Sequence, residues 1–229
     1  MNPYTSWARL LDCGDMPITP FDNALALKQM TQGYTELLSR PALHASGGSQ
    51  GSSGSQGSSG SQVRHPRLVT LGGDHSLALP ALRGLSSIYG KGNLTVIHFD
   101  AHLDTWSPLG YDSSWLDPSI PIEDQQSAFT HGSMFWLAWR EGLIANGSNV
   151  HAGLRTRLMD EGDERSDGEQ GWVRIASDEV DEAGVKGIVR RILETVGRER
   201  PVSEGGDARG LPVVTVVVVV MFGWLISDR

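Results

Sequence analysis

The chain has 229 residues, 39% hydrophobic, 20% charged and 7% aromatic, which supports an ordinary folded core and excludes collagen, coiled coil and wholesale disorder as descriptions of the whole. Against 27 Asp and Glu stand only 19 Lys and Arg, a formal charge of -8, so there is no broad basic surface for phosphate backbones or anionic lipid, and nucleic acid and membrane are disfavoured as partners. The single cysteine, Cys13, excludes an internal disulfide, and a lone thiol of this kind is expected to be buried.

In chain order, the first expected element is a helix over about 23–38. There Leu25, Met30, Tyr34, Leu37 and Leu38 fall near helical spacing, and Asp22 stands at the N-cap position. Residues 46–62 contain only Gly, Ser and Gln. Without apolar side chains to offset the entropy of ordering, this stretch is expected to be a flexible insertion within one domain over 1–202. Leu68-Val69-Thr70-Leu71 reads as a short buried strand, Gly72-Gly73 as a turn, and 76–88 as a helix with Pro80 near its first turn. Residues 94–99 read as the next strand. Two strands joined through a helix over so short a span predict a right-handed βαβ crossover and an α/β fold on a parallel sheet.

Further on, 149–154 is another strand candidate and the acidic stretch 160–170 reads as a solvated loop. An amphipathic helix is expected over 178–196 through Val180, Val185, Ile188, Val189, Ile192 and Leu193. Residues 203–229 form a divergent tail, apolar from 211 to 226 apart from Thr215. That run is short of the ~20 residues a bilayer span requires and long for a strand. Translated non-coding sequence explains it best, since Val202-Ser203 can be encoded by GTGAGT, a common intron start.

The sharpest chemical feature is His98-Phe99-Asp100-Ala101-His102-Leu103-Asp104. Side chains two apart on a strand point the same way, so Asp100, His102 and Asp104 are expected to converge. One imidazole between two carboxylates at the carboxyl end of a buried strand suits a hard-to-borderline divalent ion such as manganese. His75, in Gly72-Gly73-Asp74-His75-Ser76, falls at the end of the neighbouring expected strand, where open α/β sheets put their sites, and is the fourth candidate ligand. Alone, the Gly-Gly-Asp-His turn marks an ordinary turn, and the Asp-x-His-x-Asp triplet is equally a polar strand end satisfied by backbone amides. Their conjunction carries the metal reading. His98 shares the ligands' parity and is either a support behind them or a structural histidine.

These segments resemble the ureohydrolase family that contains arginase and agmatinase, over about residues 2–200. The resemblance implies a three-layer α/β/α fold with a mostly parallel sheet. It also implies two manganese ions bridged by Asp100, with His75 and Asp104 completing one and His102 belonging to the other. Thr130-His131-Gly132-Ser133-Met134-Phe135 looks like the family's His-Gly segment, which makes His131 and Asp100 the implied catalytic residues, His131 as proton shuttle. Thr105-Trp106 after Asp104, where arginases usually carry an asparagine, is closer to agmatinase. The implied reaction is attack of metal-bound hydroxide on a guanidino compound, most closely agmatine, to give putrescine and urea. A guanidinium carbon is too poor an electrophile for neutral water, a metal lowers the pKa of water, and an imidazole titrates where a departing amine needs a proton.

The family's third metal segment, Ser-x-Asp-x-Asp, is expected near 201–202 and is absent. Ser177-Asp178-Glu179-Val180-Asp181 imitates it, but opens the last helix, where acidic groups suit the positive end of the dipole. By resemblance the chain is therefore incomplete at both ends, only partly loaded with metal and catalytically impaired. A non-catalytic metal-binding subunit, a guanidinobutyrase or arginase-type activity, and a phosphatase using Arg155 and Arg157 stay open as alternatives. The family implies a homo-oligomer. The compartment is unknown, cytoplasmic by default, with a secretory signal upstream of Met1 left open.

Overall fold

The computed structural model describes residues 10–41, 65–110, 112–197 and 213–214; the insertion expected at 46–62 lies outside the described residues. Helix α1, Asn23–Ser39, starts where expected because Asp22 Oδ1 accepts the Leu25 N–H at 2.9 Å, satisfying one of the free donors of the first turn. Its buried stripe is Ala26, Leu27, Met30, Tyr34 and Leu38, while Leu25 is exposed. A single 3-10 turn, His75–Leu77, leads into α2, Ala78–Tyr89, which packs along α1.

The strand expected at 68–71 does not form. Val69 and Leu71 are 84% and 94% exposed, and the segment has no ladder partner among the described residues. β-propensity expresses packing against neighbours, so an apolar run without a neighbour stays irregular. The parallel sheet is built instead from β2, Ile97–Phe99, β3, Asn149–Leu154, and β4, Trp172–Ala176, in that spatial order. Just before β2, the short strand β1, Leu94–Thr95, pairs in parallel with β5, Val213–Val214. These two valines are the only tail residues described.

Strand alternation sorts the two faces. Leu94, Val96 and Trp172 join one core with α1, α2 and helix α3, Met134–Arg140. Ile97, Val150, Ala152 and Ile175 join a second core with Ile192 of helix α5, Glu179–Thr195, and with Val196 just beyond it. Helices thus lie on both faces, giving the expected α/β/α layering.

Three expectations are corrected. The acidic stretch 160–170 is no solvated loop but holds helix α4, Glu161–Glu169, capped by Asp160, with Asp167 and Gln170 buried. The apolar stripe of α5 does not dock as one face: Gly184 breaks the helix at φ 65, ψ 165, and Val180, Val185 and Val189 are exposed. A break of this kind puts the two halves out of phase. Cys13 is exposed rather than buried. No helix among the described residues is long and apolar enough to cross a membrane.

Gly84 sits where α2 meets α1, and a Cβ there would stand 2.8 Å from Tyr34 Cβ. Overpacking costs about 1–3 kcal/mol, against roughly 1 kcal/mol gained from alanine's helix propensity. Gly84→Ala should therefore lower the unfolding free energy by about 1 kcal/mol, read as a lower urea midpoint at unchanged slope.

Candidate metal centre

His75 is set by its turn: Asp74 accepts the Ser76 N–H at 2.8 Å and opens the 3-10 helix that begins at His75. Its ring reaches the end of β2, with Nδ1 2.6 Å from Asp104 Oδ2 and 3.8 Å from Asp100 Oδ2. His98 Nε2 lies 3.7 Å from Asp100 Oδ2. One donor atom from each of His75, His98, Asp100 and Asp104 falls within 4.8 Å of the others. Phe135 of α3 packs edge-on beneath both imidazoles, at 5.5 and 5.0 Å between ring centres.

Three of the four expected ligands are thus gathered, and the fourth member of the cluster is His98 rather than His102. His102 is exposed at the rim, its Nδ1 2.9 Å from Asp100 Oδ1. The period-two projection holds only in part, because the strand ends at Phe99: His102 stays beside Asp100 but outside the four-donor group. Asp104 returns to the cluster through a left-handed backbone, φ 56, which aspartate tolerates better than most residues and which functional sites tend to store as strain. His131 is exposed in the turn before α3. That turn is fastened beside the cluster by Trp106 N donating to Gly132 O at 3.0 Å and Phe135 N donating to Asp104 O at 3.4 Å. Asp178 and Asp181 take no part.

Burial alone would raise the pKa of Asp100, but the nearby His98 imidazole and hydrogen bonds from the backbone and ring of His102 hold it well below the usual carboxylate range. Burial also pushes His98 down to about 4, against partial opposition from Asp100. His75 Nε2 and His98 Nε2 are buried with no hydrogen-bond partner. Donors around one small divalent ion, with bonds of about 2.1 Å, stand about 3–4 Å apart. Two imidazoles and two carboxylates are a donor set that such an ion takes. A cleft of about 220 Å³ opens beside His102 at the carboxyl ends of β2, β3 and β4, with Trp106, Arg155, Glu164, Arg174 and Glu179 also on its walls.

The sequence reading missed a polar row behind the cluster. Parallel register sets His98 opposite His151, and His151 opposite Arg174. His98 Nδ1 is 2.7 Å from His151 Nδ1, His151 Nε2 is 3.0 Å from Asp167 Oδ1, and Arg174 Nη1 donates to Asp167 Oδ2 at 3.0 Å. Thr105 Oγ1 also donates to Asp167, at 2.9 Å. The available signal was one polar residue at the same face position of each apolar strand.

A model of the arginase family matches residues 1–203, and the chain belongs to that family. A Schizosaccharomyces pombe protein provisionally named agmatinase 1 is 39% identical over 197 residues, covering 86% of this chain and 45% of that protein. Agmatinase of Neisseria meningitidis is 31% identical over 188 residues, covering 82% and 45%. Among solved structures, proclavaminate amidino hydrolase from Streptomyces clavuligerus matches at a TM-score of 0.57 and 27% identity, over 82% of this chain and 48% of that one. A hypothetical agmatinase from Burkholderia thailandensis matches at 0.54 and 26%, over 80% and 43%. The chain spans less than half the length of these curated relatives.

Burial would raise the pKa of Asp167, but His151, Arg174 and Thr105 outweigh it and hold the carboxyl below its ordinary value. The fold therefore favours the ionised form. Its stabilisation is complete above the unfolded value of about 4 and is lost as pH falls through the depressed folded one. Asp167→Asn should cost about 2 kcal/mol at pH 7, and chemical denaturation should show the gap to wild type narrowing toward pH 3.

Proposed function

We propose that this chain is a manganese-dependent ureohydrolase of agmatinase type, which hydrolyses agmatine to putrescine and urea. The observation that carries the reading is the gathering of His75, His98, Asp100 and Asp104 so that one donor atom from each lies within 4.8 Å of the others, with His75 Nδ1 2.6 Å from Asp104 Oδ2. The names of the relatives support the choice of agmatine. His75, Asp100 and Asp104 would hold the ion, with His102 at the rim placed to reach a second. When bound, the metal supplies the Lewis acidity that a resonance-stabilised guanidinium carbon requires.

The chain's own groups do the rest. Asp100, kept ionised by its surroundings, and Asp104 present fixed negative charge at the floor of the site. That charge, with the net -8 of the chain, draws in a cationic guanidino compound. His131, on a turn fastened beside Asp104, hands a proton to the departing amine nitrogen. Arg174, one of the cations on the wall of the cleft, is paired with Glu164 and Asp167.

No Ser-x-Asp-x-Asp follows α5 in this sequence. Turnover should therefore be slow, and the missing carboxylates favour a second reading, a metal-binding relative without turnover. Assaying urea from agmatine with Mn²⁺ titrated separates the two. The first reading expects Mn²⁺-dependent urea that disappears in Asp100→Asn and falls about 100-fold or more in His131→Asn. Bound Mn²⁺ without urea from agmatine, guanidinobutyrate or arginine selects the second, and phosphate release from a generic ester with no Mn²⁺-dependent urea overturns both.

A further inference from the structure

We infer that Trp106 is the positioning residue for His131: its indole, tied to Asp163 of α4, is the surface on which the His131-Gly132 turn lies. The inference rests on the function proposed above and names the group that aims its proton donor. His131 is exposed, so no packing around its own ring fixes where it points. Its aim is set by the backbone of the turn, and therefore by what the turn rests on.

Trp106 meets that turn twice. Its backbone N–H donates to Gly132 O at 3.0 Å. A Cβ on Gly132 would stand 3.2 Å from Trp106 Cε3 and 3.7 Å from Cζ3, the nearest heavy atoms the rest of the chain brings to it, so the turn lies against the ring there. The ring is pinned at its opposite edge, where Nε1–H, the one polar group of an indole, donates to Asp163 Oδ1 at 3.0 Å. Oδ2 of the same carboxylate accepts the Met159 N–H at 2.9 Å, so Asp163 is held in its turn. Anchored at Cβ and at Nε1, the indole cannot swing about its side-chain torsions. Trp106 also lines the cleft beside His102. One rigid plane is thus the wall shared by the cleft and by the turn that carries the proton donor, and such a fixed relation between reacting groups is what proximity catalysis requires. The same contacts give the acidic helix a task, since the first turn of α4 supplies Asp163.

The test uses the full chain, with urea release from agmatine measured in saturating Mn²⁺. Trp106→Leu removes the surface under Gly132 and should lower kcat about 10–100-fold. Mn²⁺ affinity should stay within a few-fold of wild type, and the solvent deuterium isotope effect on kcat should rise, because proton transfer from a misplaced imidazole becomes limiting. A variant that is merely less folded leaves that isotope effect unchanged. Trp106→Phe and Asp163→Ala each break the indole–carboxylate bond, so they should lower kcat by a similar, smaller factor, and the double variant should fall no further. In the metal-free chain, a nuclear Overhauser contact between the indole Hε3 and Gly132 Hα is expected, weaker in Asp163→Ala. If wild type forms no Mn²⁺-dependent urea, the function proposed above falls. If it does, only the role of Trp106 falls under any of three results: turnover of Trp106→Leu like wild type, loss of Mn²⁺ affinity in step with kcat, or absence of the Overhauser contact from wild type. Should Trp106→Leu fail to fold, unchanged kcat and isotope effect in both Trp106→Phe and Asp163→Ala would overturn it.

Discussion

An ionised carboxylate with no solvent access costs several kcal/mol if it stands alone, and Asp167 is in that position. Its partners come from β3, β4 and the segment after Asp104: His151, Arg174 and Thr105. Each bond that offsets the burial also ties one of these elements to α4. The same carboxylate also adjoins the layer under the candidate site, since His151 Nδ1 lies 2.7 Å from His98 Nδ1, and His98 Nε2 lies 3.7 Å from Asp100 Oδ2.

Helix α4 shows how far this constraint reaches. Its sequence, Glu-Gly-Asp-Glu-Arg-Ser-Asp-Gly-Glu, contains no large apolar side chain, so hydrophobic burial cannot dock it. Polar contacts hold it instead: Asp167 below, Trp106 Nε1 donating to Asp163 at 3.0 Å, and Arg174 donating to the Glu164 carbonyl at 2.9 Å. Reading charge density as solvation fails here because apolar periodicity is blind to a helix whose buried face is a carboxylate. The converse error occurs at 68–71, where apolar residues are exposed and no strand among the described residues flanks them. Helix α1 was legible because cap, stripe and length agree locally. The parallel sheet and the pairing of His75 with the aspartate segment were legible because strand ends collect the site whatever the details of register.

The placing of His98 inside the four-residue cluster and of His102 at its rim was only partly legible, and the reason is geometric. Alternation holds only while the backbone stays extended. It ends at Phe99, one residue before the first carboxylate. From there the backbone bends, and position in the cluster is decided by the left-handed Asp104 and by backbone bonds to the turn at 132–135. His98, still on the strand, keeps the direction its parity assigns, while His102, off the strand, faces solvent. A motif written in letters thus splits into a rigid part that the sheet places and a flexible part that the following loop places.

The two sheet faces make the functional case from a different side. On the α5 face, Ile97, Val150, Ala152 and Ile175 form a plain apolar core. On the opposite face the equivalent row is His98, His151 and Arg174, closed by a buried aspartate. Taken alone, apolar residues of similar size would serve the fold at least as well, since replacing buried ionic groups with packed hydrophobic ones is often neutral or stabilising by about 1–4 kcal/mol. But the polar row ties α4 to the sheet, a task that an apolar row could not perform on a helix without apolar side chains. The sequence departs from the apolar rule on one face only, at the positions that adjoin the His75, Asp100 and Asp104 cluster, where local rules are most often broken.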